Sequence, residues 1–309
     1  MDTPPQTNHH SCGIENYSVH PLRRSFRRIQ CIEVHVIKNS YFSLGYRKAL
    51  LACALPALCS LFLAVIFAGL PTADAQSPKE LHIAAASDLQ PVMPTLAAEY
   101  EKATGVKIIA SFGSSATLAQ QITNGDPQDV FLSADYVHPE QLVAANLTTS
   151  HVPVPYAHGV LVLWARKDSP AQPITLDSLT SPKVQKIAIA NGLHAPYGFA
   201  ADKALASLHL TDKVAGKLVV AENIAQTAQF AESGNAQLGI ISQTIASSPH
   251  FREIGTYVLF PPHSYPEIRQ CGVILKSSKN QEEAQKFLTW LTSAKIQQSL
   301  TRFGLDPVQ

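Results

Sequence analysis

From Leu81 onward, short apolar runs alternate with stretches of helical period, and this alternation limits the fold more than any other feature of the chain. Leu81 to Ala86 (LHIAAA) reads as a buried strand. Met93 to Ala103 reads as a helix with Leu96, Ala97 and Tyr100 on one face and Gly105 as its stop. Val106 to Phe112 (VKIIASF) is the next strand, Leu118 to Thr123 lies in a helix, and Asp129 to Leu132 (DVFL) is a third strand. Strand, helix, strand, helix, strand is how a doubly wound lobe begins, with its sheet largely parallel.

Two further apolar strands, Gly159 to Ala165 (GVLVLWA) and Cys271 to Leu275 (CGVIL), bracket a second set of alternating elements. That set runs Ile187 to Ala190, a helix Phe199 to Leu208, Leu218 to Ala221, a helix Thr227 to Glu232, and Leu238 to Ile241. The amphipathic stretch Glu282 to Thr292 then returns to the first set through Ala284, Phe287, Leu288 and Leu291. The expected fold is α/β and two-lobed, with two doubly wound, mostly parallel sheets joined by two crossover segments. Lobe 1 takes residues 77–158 and 271–309, and lobe 2 is inserted over residues 159–270. Two lobes joined in this way form a cleft that a hinge can close.

The first quarter of the chain is different material. Arg47 and Lys48 precede the apolar run Ala49 to Leu70, and Ala73-Asp74-Ala75 then offers a small-x-small cleavage site before Gln76. Residues 49–76 therefore read as a secretory signal, which places the mature chain in the periplasm. A retained anchor is the competing reading, since roughly 20 apolar residues span a bilayer. A lipoprotein site at Cys53 is weaker, because that cysteine opens the apolar run rather than following it. Residues 1–48 form a leader or extension outside the fold, with a basic cluster at Arg23, Arg24, Arg27 and Arg28.

Composition removes several classes. At 46% hydrophobic and 15% charged the chain is globular, and a formal net charge of +1 gives it no concentrated basic face for nucleic acid. Cys12, Cys31, Cys53 and Cys59 fall in the segment to be removed. The remaining Cys271 cannot form an internal disulfide, so an apolar core must hold the fold. The histidines show no zinc-ligand spacing. No G-x-S-x-G elbow, phosphate loop or dinucleotide fingerprint is present, so an enzyme is not expected.

In doubly wound sheets, ligands gather beyond the carboxyl ends of strands, where helix N-termini present free N–H groups. Ser87 follows the first strand, Gly113-Ser114-Ser115-Ala116-Thr117 the second, and Asn191-Gly192 with His194-Ala195-Pro196-Tyr197-Gly198 follows Ile187 to Ala190. Any one of these serines would be an ordinary helix cap. Serines after two successive strands can instead converge on one small anion. Asp88, Asp126, Asp129 and Asp135 are available acids, and Asp at a helix start is usually a cap.

The blocks Ala84-Ala85-Ala86-Ser87, Ser111 to Ile122 (SFGSSATLAQQI) and Gly125 to Asp135 (GDPQDVFLSAD) resemble the periplasmic molybdate-binding proteins of ABC transporters. Weaker similarity continues through Leu238 to Ile241 and on to Arg302 to Leu305, covering nearly all of Leu81 to Pro307. The resemblance implies a periplasmic-binding-protein-like fold, an ABC permease as partner and a monomeric carrier. It also implies an oxyanion, molybdate or tungstate, held through its oxygens with no direct metal ligands and no cofactor. Carried over by motif, the contacts fall at Ser87 and Ser115 on one lobe and at Tyr197, Ile224 and Ser242 on the other. Tyr197 and Ser242 change the family's residue type.

Asp88 departs from a site made only of donors. Facing the cleft, it would repel a dianion, or accept the proton that phosphate carries near neutral pH. Phosphate and sulfate carriers therefore stay open, as do an exported ester-cleaving enzyme with Asp88 as base and a membrane-tethered anion sensor.

Overall fold

The computed structural model describes residues 79–308. The expected extension, signal segment, cleavage site and four N-terminal cysteines lie outside the described residues. Among the described residues, no helix is long and apolar enough to cross a membrane.

In chain order the strands are β1 (Glu80–Ala86), β2 (Lys107–Gly113), β3 (Val130–Ser133), β4 (Val154–Gly159), β5 (Leu161–Arg166), β6 (Ile187–Ala190), β7 (Leu218–Ala221), β8 (Leu238–Ser242), β9 (Gly255–Leu259), β10 (Ile268–Ile274) and β11 (Leu305–Asp306). The helices used below are α1 (Met93–Thr104), α2 (Ser115–Thr123), α3 (Val137–Ala144), α4 (Pro196–Ser207), α5 (Ile224–Glu232), α6 (Gln243–Ala246), α7 (Gln281–Leu291) and α8 (Ala294–Leu300). One sheet has the order β11-β4-β10-β3-β1-β2 and the other β7-β6-β8-β5-β9. Each is the sheet of one lobe.

β1 is apolar along its length because helices cover both its faces. Leu81, Ile83 and Ala85 face Leu96, Tyr100, Phe287 and Leu291, whereas Ala84 packs with Leu118, Ile122 and Phe131 on the other side. Tyr100 meets Phe287 edge to face at 5.2 Å between ring centroids, which fastens α1 to α7. Gly105 ends α1 at a φ of 75°, a left-handed value that costs glycine nothing. In the second lobe, Leu163, Trp164, Ile189 and Ile240 pack against the alanine-rich faces of α4 and α5.

The parallel pairings are β1–β2, β1–β3, β6–β7 and β6–β8. The others are antiparallel, so both sheets are mixed rather than mostly parallel. The cause is the crossing strands. β4 and β10 carry the chain between lobes and pair with each other inside the first sheet. The crossings therefore lie at Val160 and at residues 260–267, and Gly159 and Ile268–Gln270 belong to lobe 1 rather than lobe 2. β4 carries no strand signal in the sequence because Pro155 and His158 break its apolar pattern. Gly159 ends it where a Cβ would overlap Tyr197 Oη and Ile268 Cγ2.

Asp129 closes the opposite end of the first sheet from the strand carboxyl edge. Its buried carboxylate accepts hydrogen bonds from His82 N at 2.8 Å and Ser278 Oγ at 2.6 Å, with Asn280 Nδ2 at 3.3 Å. These bonds tie β1, β3 and the approach to α7 together. Asp129→Ala would leave the His82 N–H without its acceptor. It is expected to cost about 2 kcal/mol, read as a lower midpoint in urea unfolding.

Candidate functional site

A small cavity lies where the carboxyl ends of β1 and β2 meet the N-termini of helices from both lobes. It is lined by Ser87, Asp88, Ser115, Ala195, Tyr197 and Ile224, among others. Ser115, Tyr197 and Ile224 sit in the first turns of α2, α4 and α5. Their N–H groups have no intrahelical acceptor there, and three helix dipoles present positive ends to one volume. No lysine or arginine lines the cavity.

Each first turn has a local cause. Ser114 caps α2, its Oγ accepting from Thr117 N and donating to Thr117 Oγ1 at 2.7 Å. The next serine is thereby left for another task. Ser115 Oγ accepts from Ala134 N at 3.1 Å, which commits a lone pair and leaves its own proton to donate. Pro196 opens α4 at the position where a missing N–H costs nothing. Asn223 caps α5 by accepting from Gln226 N. Ser87 is buried at the head of a 3-10 turn, Ser87–Leu89, and its hydroxyl makes no hydrogen bond among the described residues.

The lobes touch directly around this cavity. Ala116 N donates to His194 O at 3.1 Å, and Thr117 Oγ1 donates to Glu222 Oε1 at 3.3 Å. His194 Nδ1 lies 3.1 Å from the same Glu222 oxygen. These contacts join the start of α2 in lobe 1 to the loops that precede α4 and α5 in lobe 2. They belong to a closed cleft.

Four of the five residues picked from the sequence meet here: Ser87, Ser115, Tyr197 and Ile224. Ser242 does not. It ends β8 as the cap of α6, its Oγ shared with Thr244 Oγ1 at 2.7 Å and accepting from Ile245 N at 3.4 Å. A short hydroxyl at that position serves its own helix and does not reach the cavity.

Asp88 is in the wall and fully buried. Its Oδ2 accepts from Gln270 Nε2 at 2.6 Å and from Tyr197 Oη at 3.2 Å, while Gln270 Nε2 also reaches Tyr197 Oη at 3.1 Å. Gln270 went unremarked in the sequence, where it stands just before the apolar run opened by Cys271. It sits at a register shift between β10 and β4 that turns its side chain inward. Burial pushes the Asp88 carboxyl up to about 7, against the opposing pull of Gln270, Tyr197 and the nearby N–H groups of Asp88 and Leu89. By geometric criteria Oδ1 is left with no hydrogen-bond partner. Tyr197 and Tyr156 are pushed well above the usual phenol range, first by burial and then by the Asp88 charge.

The other acids flagged in the sequence stand elsewhere. Asp126 accepts from Gln128 Nε2, Asp129 is structural, and Asp135 pairs with His138 at 2.7 Å. The recorded side-chain partners of Asp88 are Tyr197 and Gln270 rather than a serine hydroxyl, so no base-activated nucleophile is formed there. A wider groove of ≈ 580 Å³ opens alongside, with Val137, Leu193 and Phe199 exposed on its walls. Its walls mix apolar side chains with Asp135, His138, Glu267 and Arg269, and it is far wider than a small dianion fills.

A folded state that holds the Asp88 proton up to about pH 7 binds one proton more than the unfolded chain, whose carboxyl ionises near 3.8. Stability therefore falls as pH rises between those values and is flat above. Asp88→Asn removes the titration and supplies a permanent donor. The variant is expected to gain little at pH 4 and of the order of a few kcal/mol at pH 8, read from thermal unfolding of both proteins held closed by bound anion across that range.

Comparison with known proteins places these features in a family. Residues 81–306 match the model of the bacterial extracellular solute-binding proteins. The molybdate-binding protein ModA of Azotobacter vinelandii is 36% identical over 241 residues, covering 77% of this chain and 93% of that protein. ModA of Rhodobacter capsulatus is 30% identical over 227 residues, covering 73% and 87%. The solved structure of the A. vinelandii periplasmic molybdate-binding protein superposes with a TM-score of 0.68, covering 74% of this chain and all of that one.

Proposed function

The chain belongs to the bacterial extracellular solute-binding proteins, and from that premise we propose that it captures molybdate outside the cytoplasm for an ABC transporter. Tungstate is its second ligand, and the closed, loaded form is what the permease receives. The observation that carries this reading is the convergence of three helix N-termini with Ser87 and Ser115 on one small cavity free of lysine and arginine. Such a site offers hydrogen-bond donors and partial positive charge to a tetrahedral dianion. Ser87 and Ser115 donate their hydroxyls to the anion's oxygens. Tyr197 and Ile224 contribute backbone N–H groups, so the size of their side chains is no obstacle. The metal atom itself takes no ligand from the protein, no cofactor is required, and a single chain completes the site.

Export completes the reading. The small-x-small site at Ala73–Ala75 releases the mature chain into the periplasm, and cleavage there separates a diffusing carrier from a tethered sensor.

Calorimetric titration of the purified protein with molybdate, tungstate, sulfate and phosphate in one buffer tests the ligand class. One-to-one binding of molybdate and tungstate with little heat from the other two is the expected outcome, and preference for phosphate or sulfate would replace the reading. Ser87→Ala and Ser115→Ala should each weaken molybdate about tenfold or more, with unchanged thermal stability of the ligand-free protein for Ser87→Ala and a loss of about 1 kcal/mol for Ser115→Ala, which leaves the Ala134 N–H without its acceptor. Unaltered affinity in both variants would remove these serines from the site.

A further inference from the structure

Asp88 is the part of the cavity wall that the ligand reading leaves unused. Its three-residue cluster draws one member from each moving part: Asp88 from the turn after β1, Gln270 from crossing strand β10, and Tyr197 from α4 of the second lobe. Tyr197 reaches Asp88 only with the lobes together. In that arrangement the cluster contains two buried acceptors without donors, Asp88 Oδ1 and Gln270 Oε1. A carboxylic acid and a carboxamide can exchange two hydrogen bonds, N–H to one oxygen and O–H back to the amide oxygen. The first exists at 2.6 Å, and the two orphans are the atoms that the second would use. A single proton on Oδ1 changes one orphan acceptor into a donor. An ionised carboxylate at this place would instead be buried, half satisfied and without a cation.

The surroundings reinforce this. Facing the cluster are Tyr197 on α4, Tyr156 on β4 and Cys271 on β10. Burial keeps both phenols protonated and pushes the Cys271 thiol up to about 12. Asp135, beyond β3, already has His138 as its partner. α5, α6 and β2 also pack against the turn. Their charged residues are Glu232 at the far end of α5, paired with His250, and Lys107 at the start of β2, paired with Glu80. No positive side chain is within reach to hold Asp88 ionised, and a dianion arriving beside Ser87 would add repulsion.

On the reading above, we propose that Asp88 is the pH-sensing positioning residue of this site. It takes up one proton from solvent as the lobes close on the oxyanion, the hydrogen settles on Oδ1, and capture of the anion is thereby coupled to protonation. With the lobes apart the carboxyl meets water and ionises. With the lobes closed over a dianion it is neutral, so the complex gains one net negative charge rather than two. By linkage, a higher pH must weaken binding and bound anion must raise proton affinity.

The test is titration of the purified protein with molybdate between about pH 5 and 9, repeated near pH 6 in buffers of different ionisation enthalpy. The wild type is expected to take up close to one proton per anion near pH 6, and its affinity should fall up to about tenfold per pH unit as pH rises towards about 7 and level off above that. Asp88→Asn should abolish the uptake and flatten the profile. Tyr197→Phe removes a donor that favours the ionised form of the closed state, so its fall in affinity should continue to higher pH before levelling off, a shift that a merely structural tyrosine would not produce. If Asp88→Asn does not fold, the wild-type buffer series and Tyr197→Phe decide alone. Molybdate bound with a flat profile and no proton uptake would overturn the proposal and leave the ligand reading standing, and an undiminished slope in Asp88→Asn would do the same. Absence of molybdate binding at every pH would overturn both.

Discussion

Peptide N–H groups in the first turn of a helix have no partner within that helix, and the whole molecule is arranged around where these donors point. α2 belongs to one lobe and α4 and α5 to the other, yet their N-termini share a single cavity. A right-handed strand-helix crossover sets each helix N-terminus near the carboxyl edge of its sheet. Two such edges brought face to face then concentrate unpaired donors without a lysine or arginine. Lysine or arginine could not make an equally discriminating site, since a mobile cation accepts any anion, whereas fixed dipoles reward only oxygens at set positions.

The joint between the lobes follows from the same requirement. β4 and β10 leave the first sheet side by side, and the chain passes to the second sheet at Val160 and back over residues 260–267. Each lobe has its own apolar core, with Ala86, Ala134 and Ile268 of lobe 1 packed against that of lobe 2, so the lobes can part with most of both cores intact. What closes them includes a few polar contacts, Ala116 to His194, Thr117 to Glu222 and the Asp88 cluster, beside the packing of α5 and α6 on the turn after β1. A few hydrogen bonds exchanged for water contribute modestly in net terms. An anion that satisfies donors from both sides can therefore decide the balance between open and closed.

Much of this was legible in the residues because the alternation of apolar runs is dictated by burial. β1, β6 and β7 could be placed closely from their continuous apolar stretches, and Ser87 and Ser115 stood where strand ends must lie. The less legible features depend on contacts distant in sequence. Nothing in Gly113-Ser114-Ser115 says which serine caps the helix and which serves the cavity. That is decided by the geometry of the turn and by Ala134 from β3. Ser242 was assigned by alignment of a motif, but a hydroxyl so short is captured by the nearest free N–H groups. Gln270 gave no local signal, since its meaning comes from Asp88, 182 positions away, and from a register shift opposite Tyr156. The crossing strand β4 was hidden because it changes sheets at its end, and Pro155 disguises its apolar pattern.

Asp88 also bears on which oxyanion such a cavity accepts. Its Oδ2 already receives Gln270 and Tyr197, so only Oδ1 is free to address a ligand or a neighbour. Ionised, that oxygen is an acceptor, and hydrogen phosphate could satisfy it with its own proton. Protonated, it is a donor, and every remaining polar group around the cavity then offers hydrogen rather than a lone pair. An anion carrying a proton would bury that proton against donors, a penalty of the size that separates substrates differing by one hydrogen bond. Fully deprotonated anions such as molybdate, tungstate and sulfate incur none of it. The same proton that lets the lobes close thus turns the departure from an all-donor site back into an all-donor site, and leaves cavity size to separate molybdate from sulfate.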